Sequence, residues 1–222
     1  MVKGFLITAL IFLTAETYAV LRYHIAGTWP WSDIWLFTTN KALALSSVTL
    51  LSLLLVIRPL SAVGYAINPG VLKAQSILGR AALVLAMLHV LISFLLLSPH
   101  YYPGLFGADG SINATGGWSI LAGVFTLLLF WLFQRLRYAD KIQVLGVKKY
   151  LRLVEKLLPA GAAVHAGILG FNGWLKPSVW PDGMPPITLL SVGLLALGLT
   201  LAITVPVRKK SPGPDLKTTI QS

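Results

Sequence analysis

Two histidines in this chain stand in segments that offer an imidazole little water. His89 falls within ILGRAALVLAMLHVLISFLLL and His165 within PAGAAVHAGILG. A neutral imidazole carries one lone pair that can bind a metal and one N–H that can anchor the ring. On a helix, Ala82, Ala86 and Ser93 share the face of His89, and Gly161 and Ala162 occupy the turn before His165 on its own side. His89 lies about twelve residues beyond the inner start of its span and His165 about ten to thirteen beyond the basic end of its own, which at about 1.5 Å per residue sets both rings at a similar level, outward of the midplane. Two imidazoles at one depth, on faces cleared of bulk, suit a flat porphyrin held between helices through both Nε2 atoms. The same residues suit close helix packing with each histidine hydrogen-bonded across an interface. The residues alone leave both readings open. A zinc site is the weaker alternative, because zinc takes three or four protein ligands and no third histidine, cysteine or well-placed carboxylate accompanies the pair.

Other ionisable side chains frame these two. Glu16 lies inside an apolar segment, where an ionisable residue is a functional hypothesis by default. It has four candidate roles: accepting the Nδ1–H of a ligating histidine, pairing with Lys41, carrying protons, or packing in its protonated form. The first and last, a second-shell or structural role, are preferred. Lys41 begins the second apolar segment within snorkelling reach of the outer surface. His24 and His100 fall in outer loops and are expected to face solvent. His100 follows His89 by eleven residues, nearly on its helical face, but Ser98-Pro99 is expected to end the helix first.

The elements that must position these residues are membrane helices. The chain has 222 residues, 56% hydrophobic and 11% charged, where a soluble domain carries about a quarter charged residues. Six apolar stretches, roughly 4–21, 34–57, 77–97, 118–133, 157–175 and 187–207, approach the ~20 residues needed to cross a bilayer. No ten-residue alternation of the kind that marks a β-barrel occurs. The expected fold is an all-α bundle of six transmembrane helices over residues 1–207, with a disordered cytoplasmic tail at 208–222.

The net charge of +11 follows the membrane and does not require nucleic acid. With the N-terminus inside, the inner segments hold fifteen of the eighteen basic residues, leaving Arg22, Lys41 and Lys176 outside. This positive-inside bias puts both termini in the cytoplasm and makes the first segment a retained span and not a signal peptide. The basic segment around QRLRYADKIQVLGVKKYLRLVEK is long enough for a short amphipathic helix on the lipid headgroups. Asn113-Ala-Thr115 matches a glycosylation sequon, read as a chance match. The absence of cysteine excludes disulfides, iron–sulfur ligation, covalent haem attachment and thiol catalysis. No phosphate-binding loop or nucleotide-binding βαβ unit is legible, so any nucleotide chemistry belongs to another chain.

A family resemblance favours the haem reading. TTNKALALSSVTLLSLLLVIRPL in the second span resembles the "G-R-x-A-L … T-L-x-x-x-P-L" segment of the ferric-reductase-like transmembrane family. In the third span, Leu78-Gly79, eight residues and then Leu88-His89 are similar to that family's "R-R-x-L-G … L-H". In the fifth, Leu145-Gly146 through Tyr150 and then His165 resemble "L-G-x-x-W … L-H-x-x-V-Y … H". The likeness spans about residues 35–175 and is greatest to the haem-binding membrane subunit of the bacterial methionine-sulfoxide reductase system. Three departures stand out. Asn40-Lys41 replaces the usual Gly-Arg, Tyr150 replaces Trp, and Arg152-Leu153 occupies the place of an earlier fifth-span histidine. The likeness is therefore to the superfamily more than to that branch, and it implies one haem instead of two.

The resemblance implies a bacterial inner-membrane b-type cytochrome with one non-covalent haem b ligated by His89 and His165. Its candidate propionate partners are Arg22 and Lys41 if the propionates point outward, or Arg58 and Arg80 if they point inward. The implied partners are a quinol or flavoprotein donor at the inner face and a reductase subunit or metal ion as acceptor at the outer face. Such a chain is an electron-transfer subunit of an oxidoreductase. Two competing readings are a self-sufficient metal reductase and a haem-free scaffold or transporter that keeps the helical bundle.

Overall fold

The computed structural model describes residues 2–63, 66–137 and 145–205. Six long helices dominate it: α1 Val2–Val20, α2 Thr39–Ala62, α3 Pro69–Leu95, α4 Ala114–Arg137, α5 Leu145–Trp174 and α6 Ile187–Thr204. Each carries a segment long and apolar enough to cross a membrane, and among the described residues only one isolated β-bridge, Phe106 to Ile112, interrupts the helical pattern. The chain is a multi-pass membrane protein. Large side chains such as Phe5, Leu10, Leu91, Phe125 and Leu197 stand exposed along the helices, as a bundle presents to lipid when helices satisfy their own backbone hydrogen bonds.

The helix starts follow local chemistry. The side chain of Asn68 caps α3, accepting from the N–H of Gly70 at 2.8 Å, with Pro69 in the first turn. Asn113 does the same for α4, accepting from Gly116 N at 2.8 Å, and donates to the carbonyls of Gly104 and Phe106. The asparagine of the sequon is thus engaged as a helix cap. Leu21–Ile25 and Ile34–Thr38 are π-helical turns that widen the chain on either side of the first loop.

Two boundaries differ from the sequence reading. Helix α3 begins at Pro69, well before residue 77, because the Asn68 cap and Pro69 start the helix ahead of its apolar run. Helix α5 runs unbroken from Leu145 through Pro159, so residues 145–156 continue the fifth span and form no separate surface helix. Proline forfeits one backbone hydrogen bond there, and Pro159 is fully buried in the bundle. The rest of that basic segment, residues 138–144, and the tail from 206 onward lie outside the described residues.

Helix α2 is the centre: 59% of its apolar window is buried, against 17–22% for the other five. It packs on α1, α3 and α6, while α4 and α5 pack on each other and α5 continues onto α6. Helices α3 and α5 are in at most marginal contact. We call the end at which α1, α3 and α5 finish the upper end. Leu50, Leu78, Leu158, Leu195 and Phe130 fill the middle and lower bundle. Ala15, Ala19, Ala42, Leu45 and Ile187 pack at the upper end of α1, α2 and α6.

Candidate functional site

The space between α3 and α5 is a cavity of about 230 Å³, lined by residues of α2, α3, α4, α5 and α6. His89 and His165 both line it, from two helices that are in at most marginal contact. His89 is six residues from the end of α3 and His165 nine from the end of α5, about 9 and 13 Å at 1.5 Å per residue. The two rings therefore share the upper half of the bundle, as their spacing in the sequence predicts.

Hydrogen bonding fixes the tautomer of each ring. His89 Nδ1 lies 3.1 Å from the backbone oxygen of Asn40 and 2.8 Å from its Oδ1. His165 Nδ1 lies 2.8 Å from the backbone oxygen of Ser119. A carbonyl oxygen only accepts, so in both histidines Nδ1 carries the proton and donates it. Nε2 is then the nitrogen with the lone pair. An imidazole whose Nδ1–H is anchored to a carbonyl is the usual state of a metal-ligating histidine.

The α4 wall is shaped around His165. A Cβ built on Gly123 would stand 3.0 Å from both Cε1 and Nδ1 of that ring, so only glycine lets the imidazole lie against the helix. The small residues expected beside the histidines divide into two groups. Ala86, Ser93 and Ala162 line the cavity. Ala82 is fully buried, its carbonyl accepting from Ser47 Oγ at 2.8 Å. Gly161 packs against Thr126, whose Oγ1 would lie 2.6 Å from an added Cβ. These last two residues serve helix packing, as the alternative reading of small residues proposes.

Lys41 is the one charged residue among those lining the cavity. Its Nζ stands 5.0 Å from the ring centre of Phe37 and 4.7 Å from that of Tyr102, a cation held by two aromatic faces. Among the described residues no ion pair joins it to Glu16. Arg22 is buried beside the site but does not line it, and its Nη1 donates to the carbonyl of Met184 at 2.9 Å. Arg80 is exposed and lies outside the lining, its Nε donating to Ser76 O. The Arg58 side chain lies outside the described residues.

One expectation is narrowed and one corrected. Glu16 bonds to neither histidine, which leaves the structural role of the two preferred for it: its Oε1 accepts from Thr38 Oγ1 at 3.1 Å, and its buried Oε2 has no partner. The anchoring role proposed for it belongs to Asn40 and Ser119. His24 is not solvent-facing but buried, its Nδ1 donating to Trp29 O at 3.0 Å and its ring stacked on Trp31. Packing of the first loop back over α1 covers it. His100 does lie past the end of α3 and is exposed, 3.5 Å from Asp33 and edge-on to Trp29 and Tyr101.

Sequence reasoning passed over Asn40, Ser119, Gly123 and Tyr102 as site residues. Asn40 was visible only as a substitution of the family's glycine. The other three lie outside the histidine helices, and nothing in their local sequence links them to a ring on another element. Among the described residues no three histidine, aspartate or glutamate side chains converge, and His89 and His165 are the two imidazoles that line this cavity. No protein-family model matches the chain, and no curated protein matches it.

Proposed function

We propose that this cavity holds one haem b between His89 and His165, and that the chain is a b-type cytochrome passing electrons across part of a bacterial inner membrane. The observation that carries the reading is the pair of anchored Nδ1–H imidazoles lining one cavity from helices that scarcely pack on each other. Two nitrogen lone pairs facing a common space meet the requirement of bis-imidazole axial ligation. The Gly123 notch, which a Cβ would fill, accommodates one ring, and the lining of Ala86, Val90, Val124, Ala162 and Leu169 is apolar.

A bound haem supplies a one-electron iron couple; the protein supplies ligands, orientation and an apolar surround that tunes it. His89 and His165 provide the two Nε2 donors, and Asn40 and Ser119 hold them in the ligating tautomer. Lys41 supplies the positive charge for the propionate edge, which turns that edge toward the upper end; Arg80 has no part in it. Following the positive-inside bias, both termini face the cytoplasm and the upper end faces outward. The donor is then a quinol or flavoprotein at the inner face. The acceptor is a reductase subunit or metal ion at the outer one.

Haem titration into the purified apoprotein tests this. One equivalent should bind and give a low-spin b-type difference spectrum on reduction. Failure to bind would leave the haem-free scaffold or transporter reading.

A further inference from the structure

Asn40 is fully buried, and its backbone and side chain together make one polar junction between α2, α3 and the loop after α3. Its Oδ1 and backbone oxygen both accept from His89 Nδ1, at 2.8 and 3.1 Å. Its Nδ2 donates to Tyr102 Oη at 2.9 Å and to Ser93 Oγ at 3.0 Å. The side-chain amide of Asn40 and its backbone oxygen are thereby directed at His89 and two hydroxyls, and His89, Ser93 and Tyr102 all line the cavity. His165 has no such junction: its main anchor is the backbone carbonyl of Ser119 at 2.8 Å, with Ser119 Oγ further off at 3.4 Å.

We propose that Asn40 is a positioning residue that sets the donor strength of His89 toward the iron, and that Tyr102 acts on it through the Asn40 amide. The inference rests on the haem reading above. An acceptor on Nδ1–H pulls the proton toward itself and makes Nε2 a stronger donor, which stabilises the ferric state and lowers the reduction potential. The amide's own donors matter in turn, because an Nδ2 engaged by two hydroxyl oxygens polarises the amide and strengthens its oxygen as an acceptor. The chain thus has one fixed ligand, His165, tied to main chain that substitution cannot remove. Its other ligand, His89, is set by side chains. Tyr102 connects that adjustable ligand to the upper loop, where a change at Tyr101–Tyr102 reaches the iron without touching it.

The test is a redox titration of the haem-loaded full-length protein with Asn40→Leu, Asn40→Asp and Tyr102→Phe. Asn40→Leu removes the side-chain acceptor and leaves the backbone one. It is expected to raise the ferrous-to-ferric ratio at a fixed ambient potential about tenfold, the lower end of what outer partners of metal ligands contribute, or about 59 mV for one electron. Asn40→Asp supplies a stronger acceptor and should move the midpoint the other way. Tyr102→Phe, which leaves Asn40 in place, should shift it upward by a smaller amount. Low-spin spectra retained in all three, with midpoints ordered Leu, Phe, wild type, Asp from high to low, would support the proposal. Haem-loaded variants whose midpoints coincide with wild type, or in which Leu and Asp move it in the same direction, would overturn it. If Asn40→Leu does not accumulate, Asn40→Asp and Tyr102→Phe still decide through their opposite signs. A wild-type protein that takes up no haem would overturn the parent reading instead.

Discussion

The upper and lower halves of the bundle are built from similar apolar sequence yet differ in what they enclose. The lower half is closed by Leu78 and Leu195, each no more than 1% exposed, and leaves a second space of only about 30 Å³ beside Gln134 and Glu155, with Leu158 and Phe130 lying between it and the upper cavity. The upper half keeps about 230 Å³ open between α3 and α5 and lines it with two histidines, a lysine and several hydroxyls. Interior voids are costly because packed side chains lose contacts across them. The haem proposed for this cavity would complete the packing there. The fifth-span position at which the resembled family carries its earlier histidine is Arg152-Leu153 here.

The comparison breaks most sharply at Gly123. Gly123→Leu would push a side chain into the plane of His165, since even a Cβ stands 3.0 Å from its ring. Haem content should fall by an order of magnitude or more, consistent with the 10–100-fold effects of disturbing the partners of a metal ligand; pyridine haemochrome assay of the purified variant reads it. Leu78→Ala is the lower-half counterpart. It removes a fully buried side chain from the packed core and should cost about 2 kcal/mol, the low end for leucine truncations, seen as a lower unfolding midpoint in detergent. Haem per folded protein should stay unchanged, because this end is scaffold.

Lys41→Met tests the cavity's polarity at smaller scale. Losing the one charged lining residue should weaken haem binding several-fold while keeping the low-spin spectrum, as a propionate contact worth about 1 kcal/mol would. Arg80→Met should leave binding untouched, and equal losses in the two variants would remove the outward orientation. The smallest effect is on pH. Burial holds the Tyr102 phenol above its ordinary value of 10.0. A group with a raised folded pKa contributes stability fully present below its unfolded pKa and lost as pH rises through the folded one. Thermal melts should therefore show no Tyr102-dependent change from pH 6 to 9, and the wild type should lose its margin over Tyr102→Phe only above about pH 10.

Much of this organisation is legible in the sequence, and what escapes it has a common cause. The six spans follow from length and hydropathy, and the shared depth of His89 and His165 follows from the helical rise, because both are local properties of one segment. Capping moved the start of α3, and a buried Pro159 within a continuous α5 removed the expected surface helix. Those are local too, but set by single residues that a hydropathy window averages away. The partners of the rings depend on which helices adjoin. Asn40 and Ser119 stand 49 and 46 residues from the histidines they anchor, and no periodicity links them. Glu16 stayed open among four roles for the same reason. An ionisable residue in an apolar run points to a buried partner without saying which, and here the partner is Thr38.

The measurement that bears most directly on the central claim is the reduced-minus-oxidised absorbance spectrum of the wild type beside His89→Ala and His165→Ala. All three should be expressed with ample haem and matched for folded protein. A low-spin b-type spectrum in the wild type, lost in both variants, is the predicted result. A colourless wild type, or a low-spin spectrum surviving either substitution, would contradict the assignment of these two histidines as axial ligands.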